Sequence, residues 1–513
     1  VYYRVNIDAS RLTDTAYKVW RLGMTDDYDQ EYLTLDAKHV EILDETGRDR
    51  TGEFNIQDKD GVLYVFAKTV DTQIPATGET VKGDPQPADL KAYSEKSDKD
   101  YDPLKDPSID QSLLGHTYQV VMPMTVTKVK DGHTVENTAT QVTNDKRDKT
   151  NTVTNPLKEI NPTKDVTVKV GGDSIAGKSV YLNHTFLYRL DSSILPPDRA
   201  YQTITDWGGT DQLTTEYDQY LGNWAVYASR DLYRDGQVLA ARGEKIAGSG
   251  FDSSKFGGNL FTVDADDNGK VTVNATQAYL DLVSADNEHE AGWVLYLQCK
   301  RIAVADEVPN TWTETINGQP RESNKVVTKT PDMTPSIHLE KVDTPTLKQE
   351  GQERADRDDP KQALKMDADS IGITFIITNT SKTDPATGDG AWFQASDLDL
   401  ADSTIVGDAH VDMDSLAYPD NWDTLVLKPG ESVSVTGTLK GVREGDTHTD
   451  RAIVTGTPLV ECAPSNGDPF NDKTNGGEDT DPEYSTGDVT EIDGKQLCAD
   501  TQVTSNTDDW NGY

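Results

Sequence analysis

A chain of 513 residues is too long for one hydrophobic core and implies about three domains of ordinary size. Its 89 acidic residues against 49 basic ones leave a net charge of −40, which excludes nucleic acid and anionic membrane surfaces as partners, since both reward Lys and Arg. No apolar run approaches membrane-spanning length, so the sequence implies no membrane insertion. Such acidity also accompanies disorder, but alternating Val-, Ile-, Tyr- and Phe-rich segments recur along the chain, so the acids read as the solvated faces of folded β domains.

In chain order, the first segments repeat further on. Tyr3-Arg4-Val5 matches Tyr188-Arg189-Leu190, Thr25-Asp26 matches Thr205-Asp206, and Tyr28-Asp29-Gln30 matches Tyr217-Asp218-Gln219. Phe54 to Gly61 matches Phe261 to Gly269. A triplet of equally spaced asparagines, Asn137, Asn144 and Asn151, returns as Asn310, Asn317 and Asn324, each copy reading as strand, polar turn and strand. Two homologous domains follow, 1–161 and 162–334, the first expected to lack its opening strand because the residues matching 162–187 would precede Val1. Asn155-Pro156 to Asn161-Pro162 and Thr330-Pro331 to Thr334-Pro335 form short, proline-stiffened joints, which imply an elongated arrangement. A third domain, 335–513, opens on alternating Ser336 to Val342 and continues through Ile371–Asn379, Leu427–Leu439 and Arg451–Thr457, separated by Pro-Gly turns. The fold class is therefore all-β, with three tandem β-sandwiches of immunoglobulin-like type. Helical spacing is confined to a short turn at Ala278–Val283. Cys299 lies in an apolar run and reads as a buried thiol, whereas Cys462 and Cys498 flank an acidic, loop-rich segment and are expected to pair, as suits an exported protein.

Two motifs have bland explanations. Gly172 to Ser179 matches the phosphate-loop pattern, but a strand follows where a helix must stand, so it reads as a hairpin loop. Asp264, Asp266 and Asn268 match the first half of a calcium loop, yet Ala275 occupies the twelfth position; an Asn-Gly turn explains them, and calcium is the one cofactor left open. No catalytic constellation stands out, so no turnover enzyme is expected.

At Pro162-Thr163-Lys164-Asp165-Val166, Thr205-Asp206 and Asn324-Lys-Val-Val, the second domain resembles the C-terminal, isopeptide-forming adherence domains of the streptococcal antigen I/II adhesins. The first resembles them through Thr25-Asp26, Tyr28-Asp29 and Asn151-Thr-Val-Thr, and the third looks like the immunoglobulin-like repeats of wall-anchored proteins through Asn379-Thr, Leu427-Lys-Pro-Gly and His448 to Gly456. The resemblance implies a covalent bond between a first-strand lysine and a last-strand asparagine, assisted by an aspartate. Those roles fall on Lys164, Asn324 and Asp206, with Asp26 and Asn151 as the counterparts in domain one. In domain three Lys341 takes the lysine position, and Asp450 stands where such repeats show Asn. The resemblance further implies a cell-surface stalk of a Gram-positive bacterium, wall-anchored beyond Tyr513. It would support adhesion to a host or bacterial surface protein or glycan, or bind such a partner itself.

Overall fold

The computed structural model describes residues 1–13, 18–130, 132–200, 203–347, 355–464, 466–470 and 489–513. Strands dominate, and every sheet draws its strands from just one of three stretches, 1–157, 163–330 or 337–512. The chain divides into two compact units: one is built on Val1–Ile160, the other on Asn161–Pro197 and Thr203–Tyr513.

In the first stretch, Thr117–Val126 alternates inward and outward residues, and its inward Tyr118, Val120, Met122 and Met124 are buried. It pairs antiparallel with Tyr2–Asp8 on one side and with Glu41–Asp44 on the other. The facing five-stranded sheet centres on Leu22–Asp27, flanked by Ala139–Thr143 and Val62–Ala67. Leu22, Met24, Leu63 and Val65 close the core from that side.

The second stretch repeats this plan with one strand more. Thr163–Thr167 pairs with Thr185–Asp191, which pairs with Trp293–Arg301. Opposite lies a sheet in which Trp207–Gln212 runs between Lys270–Ala275 and Trp312–Ile316. Trp207, Trp293 and Trp312 meet in the core, with successive ring centroids 6.1 and 5.8 Å apart. The helix spans Gln277–Ala285, longer than the turn expected from sequence, because Tyr279, Leu280 and Val283 seal this core. Gly23 and Gly208 occupy matching positions on the two central strands. A side chain there would meet the neighbouring strand, its Cβ falling 2.1 Å from the Val65 carbonyl oxygen or 2.3 Å from that of Val273.

Trp293–Arg301 is buried on both faces, which an exposed sandwich sheet does not require. Phe470, of the third stretch, provides the cover: it packs on Leu187, Ala225, Val294 and Tyr296 and is itself buried. Its carbonyl accepts from Lys245 Nζ at 2.7 Å, and Gln298 Nε2 donates to the Gly467 carbonyl at 3.0 Å. Burying one phenylalanine contributes about 2 kcal/mol, so this contact helps hold the second and third stretches as one unit.

In the third stretch, Ile337–Thr344 pairs with Ser370–Asn379, which pairs with Ser432–Lys440. His448–Gly456 lies between Asp399–Val406 and Asp508–Gly512 in the facing sheet. Cys462 and Cys498 form a disulfide and Cys299 is free and buried, as expected. The phosphate-loop match is a string of turns, with Ser174 bridged to Thr167 and Ser179 to Lys329, and no helix follows.

Candidate covalent lock sites

Lys164 lies on the strand Thr163–Thr167, whose buried positions are Lys164, Val166 and Thr167. The side chain is fully buried against the Tyr188 ring, with Nζ 4.5 Å from the centroid. Burial lowers its pKa, opposed by the nearby charge of Asp211, whose carboxylate accepts a hydrogen bond from Nζ. Asp211 is equally buried and sits on Trp207–Gln212, opposite Trp312 in the strand ladder. Two residues before Trp312 stands Asn310, an inward position at the end of Ala305–Asn310. It is buried, and among the described residues neither atom of its amide has a hydrogen-bond partner; Asp211 Oδ1 has none either. Buried amides are nearly always satisfied, so this one calls for an explanation.

The first stretch reproduces the arrangement. Asp26 lies opposite Ala139, and Asn137 stands two residues before it. Asn137 Nδ2 donates to Asp26 Oδ2 at 2.9 Å, and both residues are buried. Burial raises the Asp26 pKa, the Asn137 hydrogen bond opposing it. The equal registers give Asn310 the same relation to Asp211 as Asn137 has to Asp26.

Three residues expected from the sequence, Asn324, Asp206 and Asn151, stand outside these buried side-chain clusters. Asn324 is not presented to the Lys164 amine: its amide accepts from Lys164 N at 2.8 Å and donates to Lys164 O at 2.9 Å, clamping the strand by its main chain. Asp206 precedes the central strand, and its carboxylate accepts from Gly318 N at 3.2 Å, at the Asn317-Gly318 turn. The middle asparagines tie down the incoming chain. Asn317 accepts from Thr205 N at 2.8 Å, and Asn144 accepts from Trp20 N at 2.8 Å. Asn151 is exposed, while the buried partner of Asp26 is Asn137.

In the third stretch Lys341 Nζ lies 2.5 Å from Asp450 Oδ1 and also contacts Asp402, all three side chains being buried. Asp402 lies opposite Ala452, with Asp450 two residues before it, so the register recurs a third time. Burial is the main cause that pushes the Asp402 pKa up to about 6, with the Asp450 charge adding to it against the opposing Lys341 charge. Asn506 accepts from Leu339 N and donates to Leu339 O, each at 2.9 Å, clamping the lysine strand as Asn324 does in the second stretch.

At the calcium-like turn, Asp266 Oδ1 accepts from the backbone N–H of Asn268 and Lys270, each at 2.9 Å, the pattern of a capped hairpin turn. Among the described residues no group of three or more His, Cys, Asp or Glu side chains is arranged to hold a metal ion.

Comparison with known proteins adds the context. Residues 161–331 match the profile described as cell surface antigen C-terminus, and residues 1–157 match the cell surface antigen I/II C2 terminal domain. The chain is 31% identical over 324 residues to the aggregation substance of Enterococcus faecalis, which covers 62% of this chain and 21% of that protein. It thus spans about a fifth of that relative's length. Among solved structures, the C-terminal domain of the Streptococcus pyogenes antigen I/II-family protein AspA is similar at 20% identity, covering 64% of this chain and 91% of that one, with a TM-score of 0.45. The C-terminal domain of the Streptococcus agalactiae AgI/II polypeptide BspA is similar at 18% identity over 64% and 92%, with a TM-score of 0.44. Over residues 1–157 and 161–331, which carry two of the three aspartate registers, the chain belongs to the antigen I/II family of cell-surface antigens.

Proposed function

We propose that this chain is part of a cell-surface adhesin of a Gram-positive bacterium, a three-domain spacer in which the second domain closes itself with a Lys164–Asn310 amide bond. The partner served by the adhesin is a host or bacterial surface protein or glycan. The observation that carries the lock is the buried Asn310 amide, without a hydrogen-bond partner, set by register beside the Lys164–Asp211 pair. Burial favours the neutral form of the Lys164 amine, whose hydrogen bond to Asp211 gives its proton a place to go. Lys164 Nζ then attacks Asn310 Cγ while Asp211 donates a hydrogen bond to the amide oxygen and carries the proton to the departing nitrogen. One C–N bond forms, one breaks, and ammonia leaves. The reaction runs once per molecule, so it is maturation and no turnover activity is assigned.

The lysine strand and the asparagine strand lie near the two ends of the second domain's sequence, so a bond between them shortens the chain that tension can extract. Digestion of the purified chain followed by mass spectrometry tests this. A branched peptide joining Lys164 to Asn310, lighter than its parts by one ammonia, is expected. Recovery of both peptides unlinked at full mass would refute the lock.

A further inference from the structure

One short hairpin occurs twice in this chain, once docked and once bare. Ile74-Pro75-Ala76-Thr77-Gly78-Glu79 and Asp384-Pro385-Ala386-Thr387-Gly388-Asp389 share Pro-Ala-Thr-Gly followed by an acid. The two tips fold alike. The carbonyl before the proline accepts from the glycine N–H, at 2.9 Å for Ile74 and 2.8 Å for Asp384. The N–H of that same residue donates to the carbonyl of Glu79 or Asp389, at 2.8 Å in each. The threonine hydroxyl accepts from the N–H of the acid at 3.3 and 3.1 Å, and the glycines take positive φ of 68° and 78°. The flanking pairs match as well, Gln73 with Thr80 and Thr383 with Gly390.

In the third stretch this tip grips the domain before it. Ser179 Oγ donates to Asp384 Oδ2 at 2.6 Å, and the Tyr181 hydroxyl donates to Asp389 Oδ2 at 2.9 Å and lies 3.3 Å from the Thr387 hydroxyl. The tip stands where the chain enters the domain: Asn379 lies opposite Ile337, and Lys382 N donates to the Thr334 carbonyl at 3.1 Å. The first-stretch tip stands at the equivalent end. It follows Val62–Ala67, whose Phe66 lies opposite Gly23, and Gly23 lies opposite Val142. Gln141, beside Val142, is bonded to both the N–H and the carbonyl of Asp8. Asp8 is close to Asn6, the match of Asp191, and Asp191 is where the entering strand of the second domain pairs through Thr163. The outgoing strand Val153–Pro156 runs along Thr134–Asn137 at the opposite end. The stem of the first tip is held by its own domain, Ser108 N donating to Thr72 Oγ1 at 3.1 Å, while Pro75 to Glu79 are all exposed.

We infer that the Pro75–Glu79 tip is a clasp for the domain that precedes Val1 in a longer polypeptide, where Thr77 and Glu79 receive a tyrosine or serine hydroxyl as Thr387 and Asp389 receive that of Tyr181. The size of the contact selects this occupant. Three hydroxyl contacts at one loop tip fall far short of the roughly 1,200 Å² that a freely diffusing partner needs. A neighbour tethered by a short linker is present at millimolar effective concentration, and there so small a contact suffices. Ile74 stands in place of Asp384 and is buried in its own domain, so the Ser179-type bond is given up while the other two acceptors remain. The aggregation substance, of which this chain spans 21%, has ample length for further domains. The inference rests on reading this chain as part of such a longer surface protein, and it is independent of the Lys164–Asn310 bond.

The test places a photo-reactive benzophenone side chain at Ala76, or at Ala386, in the purified full-length surface protein, then irradiates, digests and sequences the products by mass spectrometry. Both positions are exposed and neither supplies a docking side chain. Ala386 is the calibration and should capture the peptide carrying Ser179 and Tyr181. Ala76 should capture a peptide N-terminal to Val1 in the same polypeptide, at a yield unchanged by tenfold dilution. Glu79→Ala should lower that yield several-fold and leave the Ala386 product as it was. Capture by Ala76 confined to residues 1–513, or no product where Ala386 succeeds, would overturn the clasp. So would a product of doubled mass, which would make a second copy the occupant. Failure at Ala386 would remove the docked instance on which the inference is built and overturn it too. The Lys164–Asn310 branch is read from other peptides without irradiation, so either proposal can fail without the other.

Discussion

Replacing Asn310 by alanine removes the acyl acceptor while leaving Lys164 paired with Asp211, so no buried charge is orphaned. That makes it the cleanest perturbation of the proposed lock. A bond between residues 164 and 310 closes a loop of about 150 residues, and the chain-entropy relation then assigns it about 5 kcal/mol of unfolding free energy. For a domain of this size, each kcal/mol moves the melting midpoint by roughly 2–4 °C, so the variant should melt roughly 10–20 °C lower. Differential scanning calorimetry of the intact chain, read beside its intact mass, supplies both numbers. The mass should exceed that expected from the linked wild type after allowing for the substitution, by one ammonia. Equal melting in wild type and Asn310→Ala, with the wild type at its unmodified mass, would show that Lys164 and Asp211 are only an ion pair.

Asn324→Ala and Asp206→Ala should both keep the ammonia loss in the second domain, because Asn324 holds the main chain of Lys164 and Asp206 holds a turn; a full-mass product from either would restore the sequence-based assignment. Thiol labelling in denaturant without reductant should modify Cys299 alone, and breaking the Cys462–Cys498 bond should cost the third domain up to about 4 kcal/mol in a denaturant titration. Asp26→Asn should stabilise the first domain at neutral pH. The folded-state pKa of Asp26 is raised by burial, so its contribution is fully present below the ordinary aspartate range and is lost as pH rises through the raised value. The gain should therefore shrink as the melts are moved to acid, and a gain independent of pH would refute the argument.

Much of the architecture was legible in the alternation of the strands and in the repeat. The asparagine triplets mark the hairpins at Asn144 and Asn317. Which residue of each motif faces the buried lysine is not legible in the same way. The second domain carries two Thr-Asp doublets, Thr205-Asp206 and Thr210-Asp211, and a doublet match cannot separate them. The preceding glycine could have done so, since Gly23-Met24-Thr25-Asp26 aligns with Gly208-Gly209-Thr210-Asp211 and only a glycine fits that close approach between strands. Asn310 is likewise the first member of a triplet whose last member, Asn324, the resemblance points to. Its inward direction depends on strand parity and on pairing with Val326–Thr330, a long-range contact that local spacing does not encode. The helix at Gln277–Ala285 was shortened because six residues show the period while the rest owe their helicity to packing.

Two kinds of buried charge stand out among the described residues, and the difference is consistent with the chemistry proposed at Lys164. Arg301 donates to Asp218 at 2.8 Å, to Thr330 at 2.8 Å and to Thr328 at 2.6 Å, and Tyr188 donates to the other Asp218 oxygen at 2.7 Å. Arg357 bonds Asp343 and the Gln362 carbonyl, while Trp510 Nε1 donates to the second Asp343 oxygen at 2.6 Å. These are satisfied networks around a guanidinium that stays protonated and cannot attack a carbonyl, so they hold strands in place. The aspartate–asparagine sites are incomplete by the same standard. Asp211 Oδ1, Asp26 Oδ1, Asn137 Oδ1 and both amide atoms of Asn310 lack hydrogen-bond partners among the described residues. A buried ion pair is weak evidence for stability even when fully bonded, and an unsatisfied one costs about 1–3 kcal/mol for each orphaned group. That cost recurs at one register in homologous domains, and at the third instance the amide is replaced by an acid in contact with its lysine. Stability alone would favour apolar residues there. The proposed Lys164–Asn310 amide would remove that cost as it forms, which would account for both the lysine and the acceptor being buried.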